Sequence, residues 1–271
     1  MYLKKISYFF AVSQFCVFFA PEKQHSHIKM ERYLRNRIYV NNSELDKVRH
    51  TRIFLGGAGI GSIIAECALR FGFERITIVD GDRIELSNLN RQNYTTADVG
   101  KFKAETLAKR LLAINPDADI KFHNVFITCD NVEELLSDCD IAVNALDFKD
   151  KTPFVFDDIC AQKNIPVLHP YNFGWAGFLA AVEPHGQKLS MLSATSKGFE
   201  LEVAKYAVKK NPCKWFEDAI ASVEREQGAT PPPQLSVGSW AAAAIAVKVM
   251  YKIATRKKVD YFPKYYLSGF F

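Results

Sequence analysis

Short apolar runs alternate with segments of helical period from Arg52 to about residue 169, and this alternation is the first organising signal in the chain. Ile53-Phe54-Leu55-Gly56 reads as a buried strand over 52–56 that breaks into glycines before a helix over 61–72. Arg75 to Asp80 gives a second buried strand over 75–80, followed by a loop to 100, a helix over 101–114 and a strand over 119–126. A helix over 131–137, a strand over 140–146, a helix over 151–163 and a strand over 165–169 complete the series. Strands separated by helices must run parallel, joined by crossovers, so the pattern predicts an α/β, Rossmann-like, doubly wound and mostly parallel sheet with helices on both faces.

Beyond residue 170 the pattern changes to a C-terminal helical or crossover extension. A strand and turn over 171–184 lead to a polar loop over 185–198 and helices over 199–210 and 213–226. Pro231-Pro232-Pro233 stops that insertion, a nearly all-apolar helix follows over 236–255 and packs on the sheet or on a dimer mate through Trp240 and alanines 241–244, and the aromatic tail 261–271 can form a terminal strand. One domain over 30–271 accounts for all of this, with halves at 50–170 and 171–271.

At 271 residues, 48% hydrophobic and 24% charged, the chain has the composition of an ordinary globular enzyme. Its formal charge of +5 includes four lysines against one glutamate in the first 29 residues, so the remainder carries only +2 and offers no case for nucleic acid. Ile6 to Ala20 has the shape of a signal-peptide core and is too short for a comfortable membrane span. Met30 directly precedes a better domain start, so residues 1–29 read as a misassigned start or dispensable leader, with a true signal or membrane-proximal anchor as the alternative; the expected compartment is cytoplasmic. Arg256-Lys257-Lys258 sits at a helix end, where cations suit the helix dipole.

The chemistry is concentrated at the strand ends. Gly56, Gly57, Gly59 and Gly61 line a strand-to-helix turn, where glycine admits close phosphate approach and the helix N-terminus supplies N–H donors. Asp80 lies nineteen residues past Gly61, a distance at which an acid commonly holds a ribose hydroxyl. These features indicate a nucleotide without saying which. The segment Ser87-Asn88-Leu89-Asn90-Arg91-Gln92, with Lys103 twelve residues beyond Arg91, turns the reading toward ATP. A nicotinamide enzyme would leave that segment without a role.

Taken with Asp80-Gly81-Asp82, Val99-Gly100-Lys101-Phe102-Lys103, Asn115-Pro116, Asp147 and Gly238-Ser239-Trp240, the chain resembles the ThiF/MoeB/HesA family, relatives of ubiquitin-activating enzymes, from about Glu31 to Thr255. The resemblance implies ATP- and Mg²⁺-dependent adenylylation of the C-terminal carboxylate of a small ubiquitin-like sulfur carrier, or of a related peptide with a C-terminal Gly. It implies that Arg91 and Lys103 contact the phosphates, that Asp147 positions Mg²⁺, and that Asn88 and Gln92 line the nucleotide site. Glu31-Arg32-Tyr33-Leu34-Arg35-Asn36 is similar to the family's N-terminal motif, which implies a homodimer with Arg35 acting in trans. Asp82 either serves the nucleotide or bonds the loop containing Ser87.

Several positions depart from the family pattern. Ala58 replaces a usual glycine and places a methyl near the phosphate approach, and Phe148 and Lys151 stand where Asn and Arg are usual. Six cysteines, at 16, 67, 129, 139, 160 and 213, form no CxxC pair, so no structural zinc is expected; Cys213 reads as a partly buried thiol, with a reactive cysteine as the alternative. Asp147 has a second reading as a helix N-cap. The tyrosine, phenylalanines and tryptophan of 171–178 could wall a groove for a substrate tail, although Phe178 reads as core. Two other functions stay open: a tRNA-modifying carboxyl-activating dehydratase of the same superfamily, and a catalytically silent scaffold subunit.

Overall fold

In the computed structural model, residues 31–136, 138–193, 195–226 and 229–269 are described; the expectation for 1–29 lies outside them. Seven strands form one sheet: β1 (Arg52–Gly56), β2 (Arg75–Val79), β3 (Asp119–His123), β4 (Ile141–Asn144), β5 (Val167–Phe173), β6 (Ala176–Val182) and β7 (Tyr266–Ser268). Their order is β3-β2-β1-β4-β5-β6-β7. The first five run parallel, as expected, whereas β5–β6 and β6–β7 are antiparallel. The chain leaves β1 outward to β3, then returns to place β4 on the other side of β1. The crevice between the carboxyl ends of β1 and β4 is therefore the topological switch point, where open α/β sheets bind ligands.

Strand alternation divides the core. Ile53, Leu55, Ile76, Ile78, Ile141, Val143 and Leu168 face a layer made by α2 (Gly61–Phe71), α3 (Lys103–Ile114) and α8 (Ser236–Ala254). Phe54, Val79, Ala142 and Val167 face the opposite layer, where Phe156 and Cys160 of α5 (Thr152–Gln162) and Val132 of the short α4 (Val132–Leu135) are buried. On that same side, α6 (Phe199–Lys210) and α7 (Lys214–Glu226) cover β6 through Phe199, Val203 and Phe216. A remaining helix, α1 (Asn42–His50), is closed by a reciprocal capping box between Asn41 and Glu44.

Among the described residues α8 is the one helix long and apolar enough to cross a membrane, but it packs on β5, β6 and α2 as a core element. Its first turn sits so near the β5–β6 turn that a Cβ on Gly238 would lie 2.4 Å from Asn172 Oδ1. Trp240 does not join this packing: it is 53% exposed, while Ala242 and Ala243 are buried. Lys257, beyond the helix, pairs with Glu44 of α1 at 2.7 Å, a tertiary contact in addition to any dipole effect.

Strand β5 runs on through Phe173 instead of ending near 169, because Tyr171 and Phe173 continue the pairing with β6. The aromatic groove wall is corrected accordingly. Tyr171, Phe173 and Phe178 stack on one another and on Phe216 and Tyr265 inside the second layer, and only Trp175, 60% exposed at the turn, faces outward. In urea denaturation, Phe178→Ala is expected to cost about 3–5 kcal/mol as a large core truncation, and Trp175→Ala to stay within about 0.5 kcal/mol. Equal losses at the two positions would contradict this division.

Candidate active site

The glycine turn is built by strand geometry and one half-buried carboxylate. Gly57 has φ +98°, and a Cβ there would lie 2.5 Å from the Ala145 carbonyl oxygen, so β1 and the end of β4 approach closely only with glycine. Asp80, at the end of β2, accepts the Ala58 N–H at 2.6 Å through one oxygen and the Asp82 N–H at 2.7 Å through the other. Burial pushes its pKa up, against the two N–H donors and the Lys103 ammonium. Asp80 thus braces the turn. Ala58 is fully buried as part of the first core layer, so its methyl does not project into the crevice, which removes the expected crowding of a phosphate.

Asp82 bonds Lys103, not the loop containing Ser87. The Lys103 ammonium donates to Asp82 Oδ2 at 3.0 Å, and its backbone N–H donates to the Asp82 carbonyl at 2.9 Å. Lys103 is only 7% exposed, which limits solvent screening of its charge. Tyr94 ties this layer to the turn: its hydroxyl lies 2.8 Å from the Ala58 carbonyl and 3.3 Å from that of Lys103.

The loop of Ser87 to Gln92 begins as a 3-10 turn over Leu86–Asn88. Asn88 is buried and its Oδ1 accepts the Glu85 N–H at 3.0 Å, so its amide shapes the loop. Arg91 donates to the Ser87 carbonyl and Asn90 Oδ1 at 2.8 Å each, and to Gln234 Oε1 at 2.6 Å. Burial lowers its pKa and Asp147 opposes that shift, which brings the loop and the end of β4 into one electrostatic field. The Gln92 amide lies over Gly59, 3.3 Å from where a Cβ would stand, and its buried Oε1 has no partner among the described residues. No side chain caps α2, and although the Ser62 and Ile63 N–H groups donate to the Gly59 and Ile60 carbonyls at 3.1 and 3.2 Å, the positive end of the helix dipole has no side-chain partner.

Asp147 follows β4 in an extended segment and is exposed; it is not the N-cap of α5, which is Lys151. Its carboxylate pairs with Lys149 at 3.2 Å, and this hydrogen bond raises the pKa of the ammonium. Among the described residues no group of three or more His, Cys, Asp or Glu side chains could hold a metal. A single carboxylate at a strand end fits Mg²⁺, which takes few protein ligands and completes its shell with water and phosphate. Phe148 is core, stacked on Phe199 with ring centres 4.4 Å apart.

Arg35 is not brought to this site. It is exposed on a 3-10 turn over Leu34–Asn36, whose neighbours Tyr33 and Asn36 bond Glu74 Oε1 at 3.2 Å and the Phe71 carbonyl at 2.8 Å, at the far end of α2. Cys213 is partly buried against the α6–α7 core. Sequence reading missed Tyr94, Lys149, Gln234 and Glu66. Tyr94 and Lys149 lie within three residues of expected site positions, whereas Gln234 is separated from Arg91 by 143 residues and no local pattern marks it.

Glu66 of α2 anchors the loop from below, accepting hydrogen bonds from Arg110 at 2.6 Å, Arg70 at 2.8 Å and the Asn93 amide. Burial alone would raise its pKa, but these donors outweigh it and leave the pKa lowered. A carboxyl with a depressed folded pKa adds stability above its ordinary value and loses it as pH falls through the depressed one. Thermal midpoints measured from neutral to acid pH should therefore fall less steeply for Glu66→Gln than for wild type; parallel curves would rule out this contribution.

A model of the ThiF family matches residues 33–267. The chain is 34% identical over 159 residues to the sulfur carrier protein ThiS adenylyltransferase of Bacillus subtilis, covering 56% of this chain and 47% of that protein. It is 29% identical over 135 residues to the SAMP-activating enzyme E1 of Haloferax volcanii, covering 49% and 50%. The chain spans about half the length of the curated relatives it matches. Among solved structures, Escherichia coli MccB with ATP superimposes with a TM-score of 0.67 at 18% identity, covering 93% of this chain and 80% of that one. The E. coli tRNA N6-threonylcarbamoyladenosine dehydratase TcdA gives 0.62 at 19%, covering 84% and 95%. Both share the fold, and the match over almost the whole described sheet establishes that this chain belongs to the ThiF family.

Proposed function

We propose that this protein adenylylates a carboxyl terminus, that of a small ubiquitin-like sulfur carrier or a related Gly-ended peptide, using ATP and releasing pyrophosphate. The observation that carries the reading is the placing of two cationic side chains, Arg91 and the nearly buried Lys103, about a glycine turn at the switch point. A hydride-transferring enzyme would have no use for them. The sulfur-carrier and SAMP-activating relatives support the same substrate class.

In the reaction a carboxylate oxygen attacks the α-phosphorus of ATP, and the bond from that phosphorus to the bridging oxygen breaks, with the electron pair leaving on pyrophosphate. The attacking carboxylate is already ionised, so no general base is needed. Charge grows on the phosphate oxygens, and Arg91, Lys103 and the positive end of the α2 dipole are placed to stabilise it. Gln92 Oε1, buried and unpartnered beside Gly59, can accept a hydroxyl or amino donor of the nucleotide. Asp147 would hold Mg²⁺, which supplies further charge stabilisation to the phosphates when bound.

Arg35 completes the site from a second copy in this reading, because its own chain holds it at the opposite end of α2. ATP–pyrophosphate exchange with a Gly-ended carrier should fall on the order of 10²–10³-fold in Lys103→Ala, and calorimetry should lose the metal dependence of ATP binding in Asp147→Ala. Binding of NAD with none of ATP would defeat the reading. Mixing inactive Arg35→Ala with inactive Lys103→Ala should restore exchange, since one composite site of the mixed dimer is then intact; a mixture as inactive as its parts would exclude action in trans.

A further inference from the structure

Arg91 and Lys103 are held in different ways, and the difference points to a residue far away in sequence. Lys103 faces the Asp82 carboxylate at 3.0 Å, which offsets part of its charge. Among the described residues the hydrogen bonds of Arg91 go to neutral acceptors, the Ser87 carbonyl, Asn90 Oδ1 and Gln234 Oε1, with Asp147 acting on it only through its field. Gln234 provides the shortest of the three bonds, at 2.6 Å, and it takes the Nε–H, while Nη1 serves the other two acceptors, so the Nη2 N–H groups are left to meet an anion.

Gln234 is itself tied to the sheet. Its carbonyl accepts from Asn90 Nδ2 at 3.2 Å, and the next carbonyl, that of Leu235, accepts from Asn172 Nδ2 at 2.7 Å. Asn172 lies in β5 and also bonds Ser239 Oγ of α8 at 2.7 Å. A long side chain on a loop is therefore oriented by the rigid sheet and α8, and ordering it in advance removes entropy that phosphate binding would otherwise cost. A glutamate in place of Gln234 could make the same contact, but it would neutralise the arginine.

We propose that Gln234 is a positioning residue, aiming the Arg91 guanidinium at the phosphates of the bound nucleotide without adding negative charge beside it. This rests on the carboxyl-activation reading above, and the test separates the two. Calorimetry of Mg·ATP binding is run on the full chain for wild type, Gln234→Ala, Gln234→Glu, Arg91→Ala and the double variant Arg91→Ala/Gln234→Ala, with thermal midpoints alongside. Gln234→Ala should weaken binding by about tenfold, the size of one hydrogen bond to a charged group. Gln234→Glu should weaken it at least as much without lowering the midpoint, a result that loss of structure cannot produce. In the Arg91→Ala background, Gln234→Ala should change affinity by less than about twofold, because the two act as a unit. Wild-type affinity in both Gln234 variants, or an equal loss with and without Arg91, overturns the inference and leaves the activation reading standing. A wild-type protein that binds no Mg·ATP overturns both.

Discussion

The half-buried carboxylate of Asp80 is the constraint on which the site depends. One oxygen holds the Ala58 N–H and the other the Asp82 N–H, so the turn after β1 and the loop after β2 are fixed against each other. Asp82 can then present its carboxylate to Lys103, and Tyr94 can close over the Ala58 carbonyl. Burial works against the ionised form of Asp80, so the bracing has an energetic cost that its two N–H donors and the nearby ammonium offset. A free carboxylate in its place would leave Ala58 and Asp82 with unsatisfied donors in a water-poor layer, and the turn would lose its shape.

The second half of the chain does more than extend the sheet. Strands β5, β6 and β7 continue it in the antiparallel sense, and α8 crosses behind them to pack on β5, β6 and α2, the helix whose N-terminus faces the crevice. Asn172 joins β5 to the start of α8, and Gln234 carries that connection to Arg91. The two halves consequently share one site, although the glycine turn belongs wholly to the first. Glu66 supports the same loop from α2, through Asn93.

The two phosphate-side cations illustrate how protein surroundings set the use of a charge. Lys103 is buried and must be paired, because an isolated ammonium in that layer would be too costly. Arg91 is partly exposed and can be held by neutral oxygens, so its field reaches outward toward Asp147 and the crevice. One cation is paired directly with a carboxylate, and the other is held by neutral oxygens.

Much of this could be read from the sequence because it is local. The spacing of apolar residues located the parallel strands and their helices to within a few residues, the glycines and Asp80 marked a nucleotide turn, and the order of Ser87 to Gln92, Lys103 and Asp147 identified the family. Tertiary structure decided what depended on packing across long separations. Asp80 took backbone partners and Asp82 a lysine partner, and the Ala58 methyl turned into the core. The aromatics of 171–178 were divided between core and surface by the pairing of β5 with β6, which buries Tyr171 and Phe178 on one face and leaves Trp175 in the turn. Gln234 came to Arg91 across 143 residues. Periodicity records which face of an element is apolar, but the partner of a polar side chain is set by where the sheet and its helices bring distant segments together.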